Sequence, residues 1–147
     1  MNLFEHSAVQ EVLARLNTIN ANTPANWGKM NAAQMVAHCQ ATFQAYFGEI
    51  KMKRALIGRF FGKIAKRKLL SPKPWSRNLP TAREFKISNE RNFEKERQKL
   101  IGYINRFVNE GYTITATKHP FFGEMSSQEW ATLAYKHLDH HLRQFGA

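Results

Sequence analysis

Cysteine is nearly missing from this chain: Cys39 stands alone among 147 residues. An internal disulfide is therefore excluded, and a reducing cytoplasm is the expected setting. Acidic residues are also few, 11 against 22 Lys and Arg, which leaves a formal charge of +11. No apolar run approaches the roughly 20 residues of a membrane span. The opening Met1-Asn2-Leu3-Phe4-Glu5-His6 lacks the basic start and apolar stretch of a signal peptide. A phosphate-cradling glycine loop, a Ser-His-Asp candidate, a zinc-finger cysteine pattern, an internal repeat and a low-complexity tract are all lacking too. What remains is the expectation of a soluble cytoplasmic protein of about one domain. With 43% apolar residues and 11 Phe, it has material for a single core.

Apolar residues recur at three- and four-residue intervals in four long stretches, while no stretch alternates as a strand would. The first predicted helix runs from about Leu3 to Ile19 and is stopped by Asn20-Ala21-Asn22-Thr23-Pro24. The second begins at Asn31, where Gln34 three residues on forms a capping-box pattern, and ends at Gly48. The third spans about Asn89 to Asn109. The fourth starts at the Ser126/Glu129 capping box and closes on Gly146. About forty residues separate the second helix from the third. They include an amphipathic piece from Leu56 to Leu70 and the Pro-rich Ser71-Pro72-Lys73-Pro74-Trp75. This layout predicts an all-α fold, a four-helix bundle with one long crossover from about residue 50 to 87, in a single domain over 1–147. The crossover carries a block of ten basic residues and no acidic one between Lys51 and Arg77, a pattern that attracts polyanions.

Three of the six histidines crowd into Lys136-His137-Leu138-Asp139-His140-His141 on the last helix. On a wheel of about 100° per residue with Trp130 at zero, His137 falls near −20° and His141 near +20°, in the middle of the inward face. Asp139 falls close to 180°, toward water, and His140 at the border near −80°. Imidazole is the commonest metal ligand, and two at i and i+4 point the same way. On the second helix His38 flanks an inner face of Met35, Cys39, Thr42, Phe43 and Tyr46. Three neutral histidines would hold a divalent ion and leave positions open for water or substrate, as catalytic sites do.

Three stretches carry a family likeness. They are Trp27-Gly28-Lys29-Met30-Asn31-Ala32-Ala33-Gln34-Met35-Val36-Ala37-His38-Cys39, then His119-Pro120-Phe121-Phe122-Gly123-Glu124-Met125-Ser126, and the closing His137-Leu138-Asp139-His140-His141-Leu142-Arg143-Gln144-Phe145-Gly146. With Asn78-Leu79-Pro80-Thr81 in the crossover, the chain resembles the DinB-like superfamily of metal-binding four-helix bundles, and more closely an uncharacterised bacterial branch of it. The resemblance implies a bundle with its long connection between helices two and three. It also implies one histidine ligand from the second helix and an H-x-x-x-H pair from the fourth, which fall on His38, His137 and His141. Some members of the superfamily are thiol-dependent transferases or isomerases with a low-molecular-weight thiol as cosubstrate. The closing motif departs from the commoner H-E-x-H-H-R-G-Q form at Leu138 and Leu142, which bears on the shared chemistry and not on the ligand positions.

The expected function is thus a metal-dependent enzyme, a thiol transferase or hydrolase, acting on a small-molecule substrate with zinc, nickel or iron as cofactor. A homodimer is left open. The alternative is a non-enzymatic module that docks nucleic acid or an anionic surface through residues 51–77. No aromatic-basic motif for nucleic acid accompanies that block, so this reading stands second. Of the remaining residues, His119 and His6 are assigned structural and surface positions, Cys39 a buried apolar one, and the three tryptophans the helix ends. Tyr46 and Gln34 are candidates for orienting substrate.

Overall fold

A computed structural model describes residues 1–50, 56–111, 118–119 and 121–147, and the start of the basic block, 51–55, lies outside the described residues. The described chain is mostly helical. Helix α1 spans His6–Asn17, α2 Ala32–Tyr46, α3 Leu56–Leu70, α4 Phe93–Glu110 and α5 Ser127–Gln144, with one 3-10 turn at Arg83–Phe85. Two strands of two residues each, β1 (Lys118–His119) and β2 (Gly123–Glu124), pair antiparallel just before α5.

The helix starts follow from capping chemistry. Asn31 and Ser126 each accept a hydrogen bond from the backbone N–H three residues on, and Gln34 and Glu129 reach back to the cap N–H. Both predicted capping boxes are therefore present. Two boundaries differ from the sequence reading. Helix α4 begins at Phe93 rather than near Asn89, because Asn92, not Asn89, accepts from the Lys95 N–H. Helix α1 begins at His6 rather than near Leu3. There Asn2 accepts the Phe4 N–H, and the Leu3 N–H donates across to the carbonyl of Ala131 on α5, so the first residues serve tertiary contacts instead of a helical turn.

Helix α2 is buried almost all round, from Ala32 to Tyr46, and its small residues Ala32, Ala33, Ala37 and Ala41 let neighbours approach. It packs against α4 and α5; α1 and α3 lie on α5, and α3 also meets β2. Aromatic rings fill one end of the core. Phe107 of α4 lies 5.2 Å from Phe4, 5.6 Å from Phe43 and 4.8 Å from Tyr46, and Tyr46 lies 5.4 Å from Trp130 of α5. The Tyr46 hydroxyl donates to the carbonyl of Gly111. That bond spends the polar end of Tyr46 on closing α4, so Tyr46 is a core residue and not one that could orient substrate. Gln34 is likewise committed, bonded to Asn31 and to the carbonyl of Asn89.

One ion-pair network joins the first and last helices. Asp139, placed toward water by the wheel, is instead covered. Its Oδ1 accepts from Arg15 of α1 at 2.8 Å and from Arg143 at 3.0 Å, and its side chain is 17% exposed. A wheel sees only one helix, and α1 lies over what would otherwise be the solvent face. Arg15 also donates to the carbonyl of Ala147, tying down the end of the chain.

Packing density at Phe107 sets a measurable contrast. Phe107→Ala should cost about 3–5 kcal/mol in urea unfolding with little change in slope. Ile64→Ala, at a position 66% exposed on α3, should stay within about 0.5 kcal/mol of the parent. A Phe107→Ala loss below about 1 kcal/mol would contradict the aromatic core described here.

Candidate metal centre

Helices α2 and α5 present three histidines to one another. The ring centroids of His38, His137 and His141 form a nearly equal triangle, 4.9, 4.7 and 4.8 Å on a side. One nitrogen from each ring lies within 4.8 Å of the others. His38 and His141 are buried and His137 is half-buried at the residue level, with its ring the most enclosed part. The structure thus brings together the three residues singled out in the sequence.

What orients the rings is the hydrogen bond each makes away from the cluster. His38 Nδ1 lies 2.9 Å from the carbonyl of Phe85, at the end of the 3-10 turn. A carbonyl only accepts, so Nδ1 carries the proton and Nε2 keeps a lone pair. His141 Nδ1 lies 2.7 Å from Oε1 of Gln144. The Gln144 amide is fixed in that sense because its Nε2 donates to the carbonyl of Trp27 at 2.6 Å. His141 therefore also carries its proton on Nδ1. His137 Nδ1 lies 2.8 Å from the Thr42 hydroxyl, which can donate or accept. Second partners of this kind are what hold metal-ligating imidazoles in one tautomer.

Between His38 Nε2 and His137 Nε2 the separation is 3.0 Å. Two lone pairs at that distance repel, so something positive must sit between them. One solution is a proton on His137 Nε2, with Thr42 donating to Nδ1. The other is a cation, with the Thr42 hydroxyl turned to accept. At metal–nitrogen bonds of about 2.0–2.1 Å, tetrahedral ligand atoms lie about 3.3 Å apart, close to the His38–His137 separation, and the three nitrogens lie within 4.8 Å of one another. The donor set, three neutral nitrogens with fixed outer partners, fits a divalent ion.

The electrostatics keep the rings neutral. Burial holds His38 below its usual range, against the Phe85 carbonyl that pulls it up. Burial and the neighbouring imidazoles hold His137 well below it. His141 is lowered to about 3, chiefly by burial and then by His38. Neutral imidazole is the form a metal requires. His140, at the border of the wheel, is outside the triangle: its ring lies 5.0 Å from that of His141 and stands between Trp27 and Trp75, 5.8 Å from each.

Other candidates fall elsewhere. His119 is buried at β1, where Nδ1 accepts the N–H groups of Phe121 and Phe122 at 3.1 and 3.2 Å. His6 is exposed on α1. Cys39 is fully enclosed, 3.7 Å from the Met35 sulfur, and burial pushes its thiol far up, so it supplies neither thiolate nor ligand. Trp130 packs in the core, and Trp75 closes the end of α3 by donating its indole N–H to the carbonyl of Leu69; Trp75 and Trp27 also stand beside His137 and His140. Sequence reasoning missed Gln144 and the Phe85 carbonyl. Gln144 carried a signal, since it lies three residues after His141 on the same helical face; a backbone carbonyl carries none. Gly28 also gains a reason. Its φ is +84°, and a Cβ there would come within 2.5 Å of Gln144 Nε2, so the turn that delivers the Trp27 carbonyl to Gln144 requires glycine.

Residues 2–147 match the model of a family described as "Protein of unknown function (DUF1569)". No curated protein and no solved structure matches the chain.

The lowered histidines predict a pH-dependent stability in the presence of chelator. Above about pH 6.5 these groups are neutral both folded and unfolded. Below it the unfolded chain takes up protons that the folded chain refuses, so stability falls. The fall is up to about 1.4 kcal/mol per pH unit for each group, and continues toward the lowered values, about 4 for His119 and about 3 for His141. Urea midpoints in EDTA should drop steadily from pH 7 to pH 4.5; a flat profile would contradict buried neutral histidines.

Proposed function

The chain belongs to the DUF1569 family, and from that premise we propose that it is a divalent-metal-dependent enzyme of the DinB-like type. In this reading α1, α2, α4 and α5 form one four-helix bundle over the whole chain, and the stretch bearing α3 is the crossover. His38, His137 and His141 hold the ion through Nε2. The single observation that carries the reading is the set of outer hydrogen bonds, since two rings are locked with Nε2 bare and facing inward.

Three neutral ligands leave the full charge of the ion uncompensated and positions open on it. When bound, the ion polarises a substrate oxygen or lowers the pKa of a water or thiol, so that a nucleophile exists at neutral pH. The protein's own residues do the rest. Phe85, Thr42 and Gln144 fix ring orientation, and the apolar packing around α2 keeps water from the outer nitrogens. Because Cys39 is sealed in the core, a thiol nucleophile would come from a low-molecular-weight cosubstrate. Zinc and nickel suit imidazole best, with iron also compatible.

A second reading draws support from α3. Phe61 and Ile64 are 60% and 66% exposed, on a helix whose Lys63, Arg67 and Lys68 face solvent. Such a face suits an anionic surface. Lys66 is not part of it, since it pairs with Glu129 at 2.8 Å and donates to the carbonyl of Glu124, anchoring α3 to the start of α5. Salt-sensitive binding abolished by neutralising Lys63, Arg67 and Lys68 would favour this reading.

Elemental analysis decides the first. Purified protein should carry about one equivalent of zinc, nickel or iron, and His137→Ala and His141→Ala should carry none. Gln144→Ala and Thr42→Val should bind the same ion about 10–100-fold more weakly, while His140→Ala leaves affinity unchanged. Equal and negligible metal in parent and variants after reconstitution would sink the proposal.

A further inference from the structure

A cleft of about 420 Å³ opens beside the histidine triangle, walled by Trp27, Trp75, Arg77, Asp139, His140 and Arg143. We infer that this cleft is a binding site for a small organic carboxylate with a flat apolar body, and that the carboxylate is read by Arg77. That this ligand is the substrate of the metal centre rests on the function proposed above; that the cleft binds it does not.

Three observations meet here. The first is aromatic. Trp27 and Trp75 come from different parts of the chain and tilt against the two sides of the His140 ring, 5.8 Å from it, so that three rings line the cleft. Trp75 is also 5.9 Å from the His137 ring, so the slot abuts the triangle. The second is the charge at its mouth. Arg77 lies over the Trp27 ring, 4.6 Å from its centre, and has no acidic partner among the described residues. Contact with the ring holds the guanidinium at the cleft, and no hydrogen bond among the described residues takes up its N–H groups, the arrangement suited to a carboxylate.

The third is that the one acidic group in the cleft is already neutralised. Asp139 is held by both Arg15 and Arg143. The charged residues that line the cleft are Arg77 and Arg143 against Asp139, so its lining is net positive and attracts an anion. The wall that carries Trp75 is fixed: its indole N–H donates to the carbonyl of Leu69, and Lys136 donates to the carbonyls of Ser71 and Lys73. A slot held this way is formed before the ligand arrives, which favours specific binding.

Isothermal titration of the EDTA-treated protein tests the cleft apart from the metal. The probes are 2-naphthoate, its neutral counterpart 2-naphthamide, and inorganic phosphate. Naphthoate should bind one per chain, at least about tenfold more tightly than naphthamide or phosphate. Arg77→Gln should weaken naphthoate about tenfold and leave naphthamide unchanged; Trp27→Phe should weaken both. Because Arg77 touches none of the three histidines, metal content should be the same in Arg77→Gln and parent. Equal binding of naphthoate and naphthamide, phosphate binding as tightly as naphthoate, or an unaffected Arg77→Gln would each overturn the inference. Since every titration is run without metal, loss of the metal reading and loss of this one remain separate outcomes.

Discussion

Three imidazoles cannot be taken out of water without partners for their nitrogens, and much of this structure is arranged to supply them. The outer partners come from three separate places: the carbonyl after the 3-10 turn, the hydroxyl of α2 and the amide at the end of α5. Each of those partners needs its own support. Gln144 is aimed by the Trp27 carbonyl, and that carbonyl is delivered by a glycine in the left-handed region. The stretch before α2, the 3-10 turn and the last helix are thereby locked to one point. A buried polar cluster met in this way specifies a single packing, because any slip of α2 against α5 strands a nitrogen.

The same arrangement sorts the charges. Around the histidines the donors are neutral, and the only aspartate of the chain, Asp139, is bound between two arginines on the far side of α5. Other acids serve as local staples, such as Glu129 holding Lys66 of α3, and Glu96 with Arg91 and Lys99 on α4. The excess of positive charge is left on α3 and around the cleft.

The residues show how much of this was legible in advance. Period and capping gave the helices: Asn31 with Gln34, and Ser126 with Glu129, mark starts that the structure repeats. Those signals are local, depending on side chains within one turn of each other, and so they survive without tertiary knowledge. The wheel put His137 and His141 inward for the same reason. It failed at Asp139, where a neighbouring helix covers a face that the wheel leaves open; the start of α4 was misplaced separately, since Asn92 and not Asn89 is the cap.

By itself the sequence determined that the chain is helical, where most helices begin, and that two histidines share one inward face, since each depends on spacing within a single helix. Only the tertiary structure decided that His38 meets them, which nitrogen each ring turns inward, and that Trp27, Trp75 and Arg77 form one wall. Those facts depend on contacts between residues about fifty to a hundred positions apart, and on a backbone carbonyl at Phe85 that has no identity in the sequence. Periodicity reports the face of a helix; it carries no information about what that face will meet.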